Sequence, residues 1–144
     1  MFLGDIIIGC IMTVAFMGIC VSLLLLIKDR PVRGKRVSFR NFVVLFLVYL
    51  TIIFGFSAIY MALELMGYTV LTEGSRHVGG HVMHLIEDTT YFSAVTLLSV
   101  GYGDITPLGW GRLIAMFQAL IGYIIPAAFV VSTVIYYERP SRQL

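Results

Sequence analysis

Three long runs of apolar residues dominate the hydrophobic pattern of the chain. They extend from Phe2 to Ile27, from Phe42 to Leu65 and from Trp110 to Tyr137. A helix needs about 20 residues to cross a hydrocarbon core of about 30 Å, and each run reaches that length. The pattern therefore predicts three membrane-spanning helices, the first of them an N-terminal helix within residues 1–28.

A fourth apolar stretch lies between the second and third runs and is too short to cross a bilayer. It reads DTTYFSAVTLLSVGYGDITP over residues 88–107 and contains a glycine-rich turn. A short apolar segment of this kind is typical of a re-entrant loop. Aspartate is a favourable residue at the start of a helix, so we predict a short helix that Asp88 caps and that ends near Leu98.

The composition excludes an ordinary soluble domain. Of the 144 residues, 59% are hydrophobic and 12% are charged, and the mean hydropathy is +0.95. A soluble domain carries about 25% charged residues, so most of this surface has to face lipid. Cys10 and Cys20 both lie within the first run, and we interpret them as free, buried thiols.

The charge distribution predicts how the chain is oriented in the membrane. The net charge is +2, and the basic residues concentrate in a linker at residues 29–41. A basic loop is cytoplasmic by the positive-inside rule. The N-terminus is then outside, and residues 138–144 form a short cytoplasmic tail of a multi-pass protein of the cell membrane. The first run lacks the basic N-terminal region of a cleaved signal peptide, and charge confined to one linker argues against nucleic-acid binding.

The glycine-rich turn carries the most specific motif in the chain. It reads Ser-Val-Gly-Tyr-Gly-Asp over residues 99–104 and resembles the selectivity filter of potassium channels, whose usual form is T-V-G-Y-G-D. Glycine permits the positive φ angles that turn successive carbonyl groups toward one ion path. The resemblance implies a K+ filter of six residues, namely Ser99, Val100, Gly101, Tyr102, Gly103 and Asp104.

The same resemblance assigns roles within this filter. The hydroxyl of Ser99 supplies the innermost ion ligand, at a position where the family usually has threonine. The side chain of Tyr102 points away from the ions and braces the filter against Tyr91 and Phe92. The backbone carbonyls that the resemblance places around K+ belong to Ser99, Val100, Gly101 and Tyr102.

The resemblance extends beyond the filter and implies a fold. Residues 109–113, Gly-Trp-Gly-Arg-Leu, resemble the start of the inner helix in bacterial two-transmembrane channels. Residues 42–137 then form a potassium channel pore domain with an outer helix, a pore helix, the filter and an inner helix. The implied fold class is an all-α membrane protein with the potassium-channel pore fold, preceded by one extra transmembrane helix.

The resemblance also implies an assembly and an activity. Four filter strands have to surround each ion, and one chain supplies one strand, so the functional unit is a homotetramer in the lipid bilayer. Conduction of K+ is passive. Neither enzyme activity nor an organic cofactor is implied, and the bound ligands are the K+ ions in the filter.

The third apolar run contains candidates for the gate. Gly122 lies where the family often has a hinge glycine, and Pro126 follows four residues later. Proline cannot donate a hydrogen bond to the carbonyl four residues before it, so the helix is expected to be weakest there. Val130 and Val134 continue the same face and are candidates for the pore wall. The alternatives are close helix packing with a static kink for the first pair and lipid contact for the valines.

Two other classes of membrane protein are consistent with parts of the sequence. The residues from Gly101 to Asp104 match the G-x-G-D signature of intramembrane aspartyl proteases, which need a second aspartate within the membrane. The other aspartates, Asp5, Asp29 and Asp88, lie near the ends of the runs or outside them. An accessory subunit that only binds other spans is the second alternative, and it predicts that the filter-like residues are freely replaceable.

Three histidines mark the segment between the second run and the filter. His77, His81 and His84 recur at positions that share one face of a helix. Three imidazoles on one face would bind Zn2+ or respond to pH between about 5 and 8. Gly79 and Gly80 interrupt such a helix, and the alternative is a solvated outer segment that happens to contain histidines.

Overall fold

A computed structural model describes residues 2–28 and 39–137. The chain forms four helices in this part: α1 at Phe2–Lys28, α2 at Phe39–Leu65, α3 at Val82–Leu97 and α4 at Trp110–Tyr137. Helix α2 begins three residues before the predicted boundary at Phe42, within what we had predicted as the linker. The rest of that linker, residues 29–38, and the tail at 138–144 lie outside the described residues.

Two of the described helices are long and apolar enough to cross a membrane. They contribute 24 residues, Phe42–Leu65, and 19 residues, Trp110–Ala128. The apolar part of α1 is shorter, at Ile6–Ser22. The whole of α1 has 27 residues, which correspond to a length of about 40 Å at 1.5 Å per residue, so its role as a third span stays a prediction.

Helix α1 packs along α2. The buried side chain of Ile19 lies over Gly55, where an added Cβ would come within 2.7 Å of the Ile19 Cγ1 atom. Small residues let two membrane helices approach closely, and Gly55 has this role here. The two cysteines of α1 are free thiols, but Cys10 is exposed and Cys20 half-buried, so the prediction that both are buried is wrong.

Helix α3 lies between α2 and α4 and starts earlier than predicted. It begins at Val82, with His81 as the N-cap, and ends at Leu97. Its buried residues recur every three or four positions, which is the pattern of one helix face against a core. They are Leu85, Thr89, Phe92, Ser93 and Leu97. Leu85 is already part of the buried helix face, so Asp88 lies inside the helix. The prediction that Asp88 caps the helix is therefore wrong.

A small antiparallel sheet, which the hydrophobic pattern did not predict, lies between the end of α2 and the start of α4. Its strands are β1 at Leu71–Glu73, β2 at Arg76–His77 and β3 at Ile105–Pro107, in the order β2-β1-β3. Glu64 at the end of α2 supports β1, because its Oε1 atom accepts hydrogen bonds from the backbone N–H groups of Val70 at 2.8 Å and Leu71 at 2.9 Å. The sheet thereby links the end of α2 to the segment that follows the filter.

Candidate functional site

The filter segment begins where α3 ends, and the helix terminus has a defined geometry. The N–H of Ser99 donates to the carbonyl of Thr96 at 3.1 Å, and the N–H of Val100 donates to the carbonyl of Val95 at 2.8 Å. This pair of bonds is the Schellman motif, which requires a left-handed residue just after the helix. Ser99 fills that position with a φ of 57°, although glycine is the usual residue there.

Left-handed residues alternate along the filter segment. Ser99, Gly101 and Gly103 have φ angles of 57°, 58° and 81°. Val100 and Tyr102, which lie between them, do not have positive φ. Two of the three left-handed positions are glycines, as expected for residues that must adopt such angles without a steric cost.

Two tyrosines and an aspartate hold the outer end of the filter segment. The rings of Tyr91 and Tyr102 are stacked, with centroids 6.5 Å apart and an angle of 4° between their planes. The Tyr91 hydroxyl donates to the Oδ2 atom of Asp104 at 2.6 Å, and the Oδ1 atom accepts from the N–H of Ile105 at 2.9 Å. The hydrogen bond from Tyr91 lowers the pKa of Asp104, so this carboxylate stays charged at neutral pH.

The aromatic support of Tyr102 differs in one respect from the prediction. Tyr91 stacks on Tyr102 as expected, but Phe92 points the other way and is buried against Tyr60. Their ring centroids lie 5.1 Å apart with the planes at 80°, which is a favourable edge-to-face pair. Consecutive residues of a helix point about 100° apart, so Tyr91 contacts Tyr102 while Phe92 packs in the core.

A buried polar network joins α2, α3 and α4. The fully buried Gln118 donates from Nε2 to the carbonyl of Ser93 at 2.9 Å and lies 2.6 Å from the Ser93 hydroxyl. Its Oε1 atom accepts from the Tyr60 hydroxyl at 3.0 Å. The Ser93 hydroxyl in turn donates to the carbonyl of Ile53 at 2.8 Å. These three helices are therefore held by side-chain hydrogen bonds as well as by apolar packing.

Sequence reasoning missed this network, although one signal was present. Gln118 is a polar residue in the middle of the third apolar run, and polar side chains within a membrane span are usually paired and functional. Two separate hydroxyl contacts join α2 to α3 one helical turn earlier, where the Ser57 hydroxyl lies 3.1 Å from the Thr89 hydroxyl and 2.9 Å from that of Thr90. The partners of Gln118 were not predictable, because they lie 25 and 58 positions away.

The predicted gate residues have different surroundings. Gly122 is buried against the end of α3, where an added Cβ would overlap the carbonyl oxygen of Leu97. Pro126 lies within α4, and Val130 is exposed on the single chain. Val134 belongs to α4, but its side chain lies outside the described part. Gly122 therefore has the close-packing role that we considered as an alternative, and a hinge at Gly122 stays a prediction.

Substitution of Gly122 by alanine is expected to destabilise the protein by about 1–3 kcal/mol, the usual cost of overpacking a core. The methyl group would overlap backbone rather than the end of a flexible side chain. The matched control is Gly18→Ala in α1, where an added Cβ meets no atom within 4 Å and alanine favours the helix. Thermal unfolding in detergent measures both, and equal melting temperatures for the two variants would contradict the packing role.

The three histidines do not share a helix face, so that prediction is wrong. His77 is in β2, His81 is the N-cap of α3 and His84 is in its first turn. In the described part of the chain, no group of three histidine, cysteine, aspartate or glutamate side chains is arranged to hold a metal ion. Gly79 and Gly80 lie between β2 and α3, so the helix starts only after them.

Comparison with known proteins places this arrangement in a family. A family model described as an ion channel matches residues 48–139. The chain is 44% identical to Protein LctB of Bacillus caldotenax over 128 residues, which cover 85% of this chain and 96% of that protein. It is 41% identical to Protein LctB of Geobacillus stearothermophilus, over 89% of this chain and 99% of that one.

A plant protein is more distantly similar. The chain is 29% identical to Two-pore potassium channel 5 of Arabidopsis thaliana over 110 residues. These residues cover 69% of this chain and 24% of that protein. No solved structure matches the chain significantly. Because the family model covers more than half of the residues, the chain belongs to the ion-channel family with the potassium-channel pore fold, in which α2, α3 and α4 are the outer, pore and inner helices.

Proposed function

We propose that the protein is a potassium-selective channel that conducts K+ passively through a homotetrameric pore. The observation that carries the proposal is the backbone of residues 99–103, where left-handed residues alternate with others directly after the pore helix. A selectivity filter needs such a backbone to present successive carbonyl groups to a dehydrated ion. The similarity to a protein named as a two-pore potassium channel supports the choice of ion.

The proposed filter residues would bind the ion at different positions along the filter. The Ser99 hydroxyl is the proposed innermost ligand, and Asp104 and Gly103 complete the outer end. The negative end of the α3 dipole lies at Leu97, close to the start of the filter, and favours a cation there. The carbonyl oxygens that replace the hydration shell of K+ in this proposal belong to Ser99, Val100, Gly101 and Tyr102.

The exposed surface of the single chain supports a tetramer. The exposed fractions of Val100 and Tyr102 are 48% and 72%, and one filter strand cannot surround an ion. Helix α4 also exposes large apolar side chains that require lipid or another subunit, namely Met116, Phe117, Leu120, Tyr123 and Ile124. Four chains around a common axis would cover the filter and part of this face.

The proposal includes an orientation and a gate, but no enzymatic step. The basic linker is cytoplasmic, the N-terminus lies outside and α1 is a third span that packs on the outer helix. The inner helix bends near Pro126 when the pore opens, and Val130 and Val134 line the inner part of the path. The carbonyl contacts in the filter, rather than a cofactor, provide selectivity.

Ion flux in liposomes that contain the purified protein tests this proposal. We expect K+ to leave the vesicles faster than Na+, because the filter carbonyls replace the hydration shell of K+, and we expect barium to block the flux. Chemical cross-linking in the same vesicles should stop at the mass of four chains. An accessory membrane subunit would pass neither ion, and equal rates for K+ and Na+ would contradict a potassium filter.

A further inference from the structure

Pro126 leaves one backbone carbonyl of the inner helix without its usual donor. In an α-helix the N–H of residue 126 would donate to the carbonyl of residue 122, and proline has no N–H. The carbonyl concerned belongs to Gly122. A backbone carbonyl without a partner is costly in a membrane environment, so this group is expected to have another donor.

The outer helix supplies such a donor. The hydroxyl of Tyr49, a half-buried residue of α2, donates to the carbonyl of Gly122 at 3.3 Å. The contact joins residues 73 positions apart and links the outer helix to the inner helix at the proline interruption. In a membrane, freed backbone groups near proline are commonly satisfied by neighbouring helices in this way.

Gly122 also touches the pore helix. Its Cα lies so close to the end of α3 that an added Cβ would overlap the carbonyl oxygen of Leu97. Leu97 is only two positions before Ser99, the first residue of the filter segment. One residue of the inner helix therefore contacts the outer helix through its carbonyl and the C-terminal end of the pore helix through its Cα.

We propose that Tyr49 is a positioning residue that holds the inner helix at the Gly122–Pro126 interruption and so sets the balance between open and closed pores. The inference rests on the proposed channel function. A bend of α4 at this point moves the Gly122 carbonyl relative to α2, so the Tyr49 hydrogen bond stabilises one position of the inner helix and not the other.

A double-mutant cycle between Tyr49→Phe and Pro126→Ala tests the contact. Phenylalanine keeps the ring and removes only the hydroxyl, whereas alanine restores an N–H that can donate to Gly122. In the otherwise unchanged protein, Tyr49→Phe should lower the melting temperature by about 2 °C and change the open probability about threefold, the effect of one interhelical hydrogen bond. With Pro126→Ala present, both effects should largely disappear.

The outcomes separate this inference from the proposed function. Tyr68→Phe, which removes an exposed hydroxyl beyond the end of α2, is the matched control and should change neither quantity. Equal effects of Tyr49→Phe with and without Pro126→Ala would overturn the inference. If the unchanged protein passes no K+, the channel function and the gating role both fail, and the melting temperatures still show whether the contact exists.

Discussion

Replacement of Gly101 by alanine is expected to abolish potassium-selective flux. Gly101 has a φ of 58°, and a residue with a Cβ pays about 1–2 kcal/mol to adopt the left-handed conformation. In the proposed tetramer the substitution occurs four times around one ion path, so the total cost is about 4–8 kcal/mol. Because each 1.4 kcal/mol is a factor of ten, we expect K+ flux in liposomes to fall by about 1,000-fold or more.

The matched control for this experiment is Gly79→Ala. Gly79 is exposed in the segment before α3, does not have a positive φ and has no atom within 4 Å of an added Cβ. This variant should keep the flux and the ratio of K+ to Na+ of the unchanged protein. If Gly101→Ala also keeps that ratio while the protein remains folded and tetrameric, residues 99–103 are not the selectivity filter.

Substitution of Gln118 by methionine is expected to destabilise the protein by about 2–4 kcal/mol. Methionine has a similar length but cannot bond to the Tyr60 hydroxyl or to Ser93, so three contacts of 2.6–3.0 Å are lost. Three interhelical hydrogen bonds at about 0.6 kcal/mol each give the lower value. Buried groups left without partners cost about 1–3 kcal/mol each, which gives the higher value.

Thermal unfolding in detergent measures this loss, and a second variant shows that the network is its cause. Ser93→Ala removes the hydroxyl that Gln118 approaches, so the effects of Gln118→Met and Ser93→Ala should not add. Thr51→Val is the control, because the Thr51 hydroxyl is exposed and bonds only to the carbonyl of Leu47 in its own helix. Additive effects of the two network substitutions would contradict a contribution of the Gln118–Ser93 hydroxyl bond to stability.

The sequence by itself determined the parts of this protein whose conformation depends on residues close together in the chain. Apolar runs of span length predicted α2 and α4, since a helix has to present apolar side chains to lipid over its whole length. The filter-like motif was recognisable because it depends on neighbouring residues, and the glycines at 101 and 103 have the positive φ angles that were expected. Its role as a selectivity filter stays a prediction. The family match over residues 48–139 agrees with that motif.

Only the tertiary structure decided the contacts between residues far apart in the chain. The start of α3 at Val82 depends on the burial of Leu85, so Asp88 does not cap the helix. His77 lies in β2, which pairs with β1, whereas His81 and His84 lie at the start of α3, so the histidines do not share one helix. The partners of Gln118 and of the Gly122 carbonyl come from other helices. Polar groups buried in an apolar environment must find partners, but which partner is near is set by how the helices pack.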